Sequence, residues 1–395
     1  MVKRQVAAKE QPVASVPGGK GTAVEEALRL YFASLGYFAV RSVPWKLDGS
    51  DVTDIDLWLY ERPSTISRRR IIVDIKNKKS PQAAERLVWT KGLQTALGVE
   101  SAFVATPDRR PATHRLARSL KINLIENVPF DRITREFDLQ KLVISQGQFD
   151  EMVREADATR HTNEWREALA TVKASLLSGL GFQSANRCLR VMAEIYDDVV
   201  VTPPGSTRAM VGARLIYLAA ACAAISLDYA MAEYVFKTKE EREIILENGI
   251  RYGSPETSAA LGRIRTASGL AEKYLPNGRH FAKMMESRFM VDAERVPAGI
   301  IAEFLGRQRL VDALFDPANA LLSAALAQEV PSFDRLPVGA RALVGVFIDF
   351  NGGARDKFAR MWSVEADEKP VVANLSSELP LETASPQPKK SKRAK

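Results

Sequence analysis

The stretch IIVDIK, Ile71 to Lys76, decides how this 395-residue sequence is read. Side chains of an extended strand alternate between faces, so Ile71, Val73 and Ile75 point one way while Ile72, Asp74 and Lys76 point the other. One face is core, and the other ends in a carboxylate and an amine side by side. The preceding run, VTDIDLWLY (residues 52–60), is built alike: Val52, Asp54 and Asp56 share a face, and Thr53, Ile55 and Leu57 share the opposite one. Two such neighbouring strands present Asp54, Asp56, Asp74 and Lys76 on one surface at one end of a sheet.

Outward from these strands, helical and extended patterns alternate between Thr22 and about Leu124. A helix (TAVEEALRLYFASLG) precedes strands YFAVRSV, VTDIDLWLY and RIIVDIK; then come a helix (PQAAERLVWTKGLQTALG), a strand (SAFVATP), a helix (RPATHRLARSL) and a strand (INLIE). The order is αβββαβαβ, a small α/β domain over residues 21–145. After about Gln146 the β-branched runs vanish and long helical periods take over. They break at Thr202–Ser206, Gly253–Ser254, Pro276–Gly278 and Asn351–Gly353, which predicts an all-helical domain over 146–364. Residues 1–20 and 365–395 mix Pro, Ser, Gly and Lys without period, and read as a disordered basic arm and a disordered tail with a basic end.

Composition is that of a folded chain, with 46% apolar and 26% charged residues. The net charge of +8 is unevenly spread: residues 1–140 carry 23 Lys and Arg against 16 Asp and Glu, and the final KKSKRAK adds five more cations. The stretch between is mildly acidic, so only the first domain is built to meet phosphate. Cys188 and Cys222 stand in apolar helical contexts without CxxC or Cys/His pairing, and read as core residues in a reducing compartment. No apolar leader opens the sequence, and the most apolar run, Met210–Leu227, contains Arg214 and Ser226, so the expectation is a soluble cytoplasmic protein. There is no GxxxxGK[ST] or GxGxxG, which excludes a built-in ATP motor or dinucleotide fold.

Phosphodiester cleavage needs an activated water and a counter-charge for the developing anion, and a divalent ion on hard carboxylate oxygens supplies both. An adjacent Lys orients or deprotonates the water. A Glu-bearing helix, a strand with Asp, a strand with Asp-Ile-Lys and a helix, in that order, resemble the PD-(D/E)xK nuclease superfamily. GTAVEEALRLYFASLGYFAVR is similar to the opening of archaeal Holliday-junction resolvases and Mrr-type restriction endonucleases.

The resemblance covers about Gly21 to Leu124. It implies an α/β, restriction-endonuclease-like mixed sheet with flanking helices, followed by the all-α domain. It also implies a Mg²⁺- or Mn²⁺-dependent DNA endonuclease, with restriction or anti-phage defence as the setting. Glu25, Asp56, Asp74 and Lys76 take the catalytic positions; Glu25, Asp56, Asp74 and the Ile75 carbonyl take the metal. No Pro precedes Asp56, and Asp54 competes with it, but DIDLWL resembles the EIDhhh form of such nucleases and favours Asp56. Gln94 stands where Mrr-like relatives carry a Gln. Arg41, Arg68, Arg69, Arg70, Lys78, Lys79 and Lys91 surround the motif and are expected, with Gln94, to contact nucleic acid.

Each feature has a plainer reading. Thr22 with Glu25 is also a capping box, Asp-x-Lys is also a surface ion pair, and Arg runs at hairpins are often just solvated. Two further functions stay open: a catalytically inactive nuclease-fold DNA-binding subunit of a larger complex, and an RNase of the HEPN kind using Arg154 and His161. The helical domain is open to a homodimer contact or a partner subunit.

Overall fold

The computed structural model describes residues 20–75, 82–126, 143–307 and 310–362. Lys76, Lys78, Lys79, the arm up to residue 19 and the tail lie outside the described residues.

The N-terminal part is a five-stranded mixed sheet in the order β1-β2-β3-β4-β5. After α1 (Lys20–Ser34) come β1 (Phe38–Leu47), β2 (Ser50–Glu61) and β3 (Arg69–Ile75), joined as antiparallel neighbours. β1 and β2 meet in a two-residue hairpin at Asp48 and Gly49, both left-handed (φ 48° and 81°), the pairing that a type I′ turn requires. β4 (Ser101–Ala105) and β5 (Asn123–Ile125) follow in parallel after α2 (Ala83–Leu97) and α3 (Pro111–Leu120), whose crossovers a parallel register needs. The predicted order αβββαβαβ is the observed one.

Strand alternation divides the sheet into two faces. Leu57, Leu59, Ile71, Val73 and Ile75 pack under Val24, Leu28 and Phe32 of α1. The other face carries Trp58, Tyr60, Ile72 and Val104, and its core includes Leu87 and Leu93 of α2 and Ala117 of α3. α1 begins at Lys20, so Thr22 lies inside the helix, and the capping-box reading of Thr22 with Glu25 does not apply.

The described residues from Gln146 on are helical, as the loss of β-branched runs predicts, and breaks fall at all four predicted places. The helices are α4 (Gln146–Ala158), α5 (Glu164–Ser175), α6 (Phe182–Val199), α7 (Thr207–Met231), α8 (Lys239–Tyr252), α9 (Thr257–Tyr274), α10 (Gly278–Arg295), α11 (Ala298–Arg307), α12 (Leu310–Leu326), α13 (Val338–Phe350) and the short α14 (Arg355–Ala359). α7 is the centre. Ser206 caps its N-terminus by accepting from the Ala209 N–H, and it is apolar on every side because α6 and α12 flank it. Thr207–Tyr234 is long and apolar enough to cross a membrane, but 94% of its apolar window is buried inside the protein, as in a core helix. Its one buried cation, Arg214, donates to the carbonyls of Ala325, Ala327 and Gln328 at 2.9, 2.6 and 3.0 Å, and burial pulls its guanidinium down to about 10.

The change of composition at Gln146 coincides with the start of α4, yet packing does not stop there. One hydrophobic core runs from Phe38, Val40 and Trp58 of the sheet to Leu189, Ile216 and Phe347 of the helices. Tyr60 meets the rings of Tyr229 and Phe315, so the helical region covers the β1–β2 part of one sheet face while α2 and α3 cover the rest.

Candidate active site

In the β2–β3 ladder Leu57 faces Val73 and Trp58 faces Ile72. One step further in the same register sets Asp56 opposite Asp74, on the face that α2 covers. The ladder explains why the two acids meet: each is the last inward position before its strand leaves the core. Asp56 Oδ2 accepts the Ile75 N–H at 2.7 Å, which fixes that carboxylate against the end of β3. Asp74 is 7% exposed. Both of its oxygens accept from Arg86 of α2, the Nε–H bond measuring 2.9 Å. Burial pulls the Arg86 guanidinium below its ordinary value, and the charge of Asp56 works the other way. Asp54, opposite Pro44, is exposed two residues along the strand.

Glu25 is elsewhere. It rides on α1, across the sheet from Asp56 and Asp74, and its Oε2 lies 3.5 Å from Arg41 Nη1. Arg41 is also 3.8 Å from Glu26, its N–H donates to Gln146 Oε1 at 2.7 Å, and the Gln146 N–H donates to Glu26 Oε2 at 3.3 Å. This buried polar knot ties α1 to β1 and to the first residue of α4. The expected convergence of Glu25 with Asp56 and Asp74 is not found: among the described residues no three His, Cys, Asp or Glu side chains are grouped to hold an ion.

The basic residues expected to line a phosphate groove are mostly engaged inside the protein. Arg41 is 5% exposed, and its charge is turned to Glu25 and Glu26. Arg68 donates to Asp228 of α7 at 3.0 Å, with Arg62 3.5 Å from the same carboxylate. Arg70 grips Glu100 and the Gly98 carbonyl and lies over the Tyr229 ring; Arg69 pairs with Glu61 at 3.3 Å and is more open. Arg69 and Arg70 begin β3, whereas Asp74 nearly ends it, roughly 13 Å away at about 3.3 Å per residue. On α2, Lys91 donates to Gln94 at 2.9 Å and Gln94 to the Glu100 carbonyl at 3.4 Å. Arg154 is exposed and held by Glu151 on its own helix, and His161 follows the end of α4 in the left-handed region. Cys188 and Cys222 are buried core thiols as expected, and burial pushes Cys188 up to about 11.

Two features escaped the sequence reading. Arg86 was not singled out, although an Arg in the first turn after the Asp-bearing strand is within reach of that strand's end. The second is α3 with its flanks, PDRRPATHRLARSLK (residues 107–121), holding five Lys and Arg against one acid. Arg109, Arg110, Arg115, Arg118 and Lys121 are all exposed. Asp108 is bound to Arg110 and Thr113, and the Arg110 guanidinium holds its carboxyl well below the usual range. That charge run is visible in the sequence as five cations within residues 107–121, two of them on the helix itself.

The chain matches no family model, no curated protein and no solved structure.

Proposed function

We propose that this protein is a Mg²⁺-dependent DNA endonuclease with a restriction-endonuclease-like sheet, its site built on Asp56, Asp74, Lys76 and Arg86. The observation that carries the proposal is the pair of acids set face to face across the β2–β3 ladder, one of them bound by Arg86. The order αβββαβαβ and the cationic α3 beside the same crossover support it. Two carboxylates suit Mg²⁺, which is commonly held by one or two such groups with water and phosphate oxygens completing the shell. Asp56, Asp74 and the Ile75 carbonyl would hold the ion, which when bound supplies an acidified water and a counter-charge to the reacting phosphate.

The chain's own groups prepare the rest. The Ile75 N–H fixes one oxygen of Asp56 and orients the other. Lys76, two residues after Asp74 in the sequence, would orient the attacking water. Arg86 is a planar fork that fits a phosphate as well as it fits a carboxylate, so it can exchange Asp74 for the non-bridging oxygens of the scissile phosphate. Glu25 belongs to the knot around Arg41 and acts on the position of α1, not on the ion.

A second reading is a nuclease-fold subunit that binds DNA without cutting it. It is favoured by one observation: Arg86 engages both oxygens of Asp74 while Arg41 engages Glu25. Plasmid, linear and branched DNA incubated with the full chain in Mg²⁺ or Mn²⁺ separates the two. Cleavage lost in Asp74→Asn and Lys76→Ala supports the endonuclease, and cleavage surviving both sinks the site. No cleavage by the unaltered chain, with DNA binding that falls steeply with salt, supports the second reading.

A further inference from the structure

A shallow apolar groove lies between α2 and α3, lined by Ala84, Glu85, Arg86, Val88, Trp89 and Leu116. Val88 and Trp89 are 59% and 44% exposed, which is unusual for neighbouring large apolar residues on a short helix. The buried stripe of α2 is Ala83, Leu87, Thr90 and Leu93, so Val88 and Trp89 are not needed for its packing. Three things identify the occupant. The groove is continuous with the candidate site, because Arg86 both lines it and binds Asp74. Its far wall is α3: Leu116 lines the groove, and the exposed Arg115 precedes it by one residue, about 100° around the helix, at the groove's edge. The only acid in the lining, Glu85, is an acceptor suited to N–H groups at a base edge.

An exposed indole beside cations, at the mouth of a carboxylate pair, has the chemistry that holds a base by its flat face and the backbone by its phosphates. An apolar protein segment would leave the α3 cations without partners, whereas a nucleic-acid strand supplies anions at the spacing of its phosphates. We infer that the α2–α3 groove is a nucleobase subsite: Trp89 stacks an unpaired base, Val88 and Leu116 flank it, and Arg115 carries the adjoining phosphate. The inference rests on the proposed nucleic-acid substrate and narrows it to strands with at least one unpaired base, such as single-stranded or branched DNA. A base inside a duplex has both faces stacked and cannot enter.

The test is binding in EDTA, so that its result does not depend on cleavage. Fluorescence anisotropy of labelled oligothymidylate, and of the same strand paired with oligodeoxyadenylate, is measured with the full chain, Trp89→Ala, Trp89→Phe and Arg115→Ala. Trp89 is exposed, and unchanged thermal unfolding of each variant verifies the fold. We expect Trp89→Ala to weaken single-strand binding about tenfold, within the range for loss of one stacked base, with Trp89→Phe close to wild type and duplex binding little changed. Arg115→Ala should weaken binding of both single strand and duplex and flatten the salt dependence. Equal loss on single strand and duplex, no loss in Trp89→Ala, or no nucleic-acid binding at all overturns the subsite; the last outcome leaves the groove to a protein segment. Failure of cleavage alone, with the Trp89 effect intact, overturns the nuclease and not the subsite.

Discussion

The hydroxyl of Tyr60 on β2 donates to Asp228 on α7 at 2.7 Å, with both groups sealed from solvent. Asp228 also holds Arg68 and Arg62, so one helix carboxylate compensates two cations from the β2–β3 connection. Removing a single member of a buried ion cluster leaves the others uncompensated, at a cost of about 3–5 kcal/mol. Asp228→Ala should therefore destabilise the whole chain by that order in urea unfolding, while Tyr60→Phe, losing one hydrogen bond, should cost about 1 kcal/mol. If sheet and helices unfolded in separate steps in wild type, and Asp228→Ala affected only one of them, the shared core would not be the cooperative unit.

Tyr60 also gives the protein an alkaline limb. Burial, and then the charge and hydrogen bond of Asp228, push its phenol far above the ordinary value. In the unfolded chain the phenol ionises near pH 10, while in the folded chain it keeps its proton. A raised folded value contributes stability present below pH 10 and lost as pH climbs beyond it. Stability of wild type should thus fall between about pH 9.5 and 11, more steeply than that of Tyr60→Phe. Parallel curves for the two would remove Tyr60 from the account.

The alternation of IIVDIK and DIDLWL, read along each strand, already sets Asp56 and Asp74 on one face, and the register then brings them together. The αβββαβαβ order and the four helix breaks were legible for the same reason: each rests on local periodicity or on Gly and Pro. What was not legible depends on distant partners. Nothing near Arg68 in the sequence announces Asp228, 160 residues away, so a cluster of three arginines read as a phosphate surface although one of them is sealed against α7. Glu25 was grouped with the strand acids by order along the chain, but α1 crosses the opposite face of the sheet, which order alone does not specify. The domain boundary at Gln146 was visible as composition and is not a boundary in packing.

Two glycines should respond in opposite ways to the same change. A Cβ on Gly212 of α7 would collide with Val199 Cγ2 and fall 3.0 Å from the Trp165 ring. Gly262, on α9, has open space around it. Alanine favours a helix by about 1 kcal/mol over glycine, so Gly262→Ala should raise stability by up to that amount. Gly212→Ala should lose about 1–3 kcal/mol net, because overpacking outweighs propensity. Equal shifts in denaturant midpoint would refute the close approach of α5, α6 and α7.

Arg86 separates the two functional readings without any substrate. Its guanidinium now compensates Asp74, so Arg86→Met takes from that buried carboxylate the cation that both its oxygens accept from, and the variant should be about 1.5–3 kcal/mol less stable in EDTA, the range for a charged hydrogen bond. If Asp56 and Asp74 form a metal site, Mn²⁺ replaces the lost cation. Stability then recovers with metal concentration as RT ln(1 + [Mn²⁺]/Kd), and calorimetric titration should show tighter Mn²⁺ binding than in wild type, where Arg86 competes for the same oxygens. Asp74→Asn combined with Arg86→Met should abolish that recovery. A Mn²⁺-insensitive Arg86→Met would mean that Asp74 serves the arginine alone, and would move the protein to the non-cleaving reading. Catalysis supplies the complementary constraint: under the endonuclease reading Arg86→Met binds metal better yet cuts more slowly, because the guanidinium is then missing from the reacting phosphate.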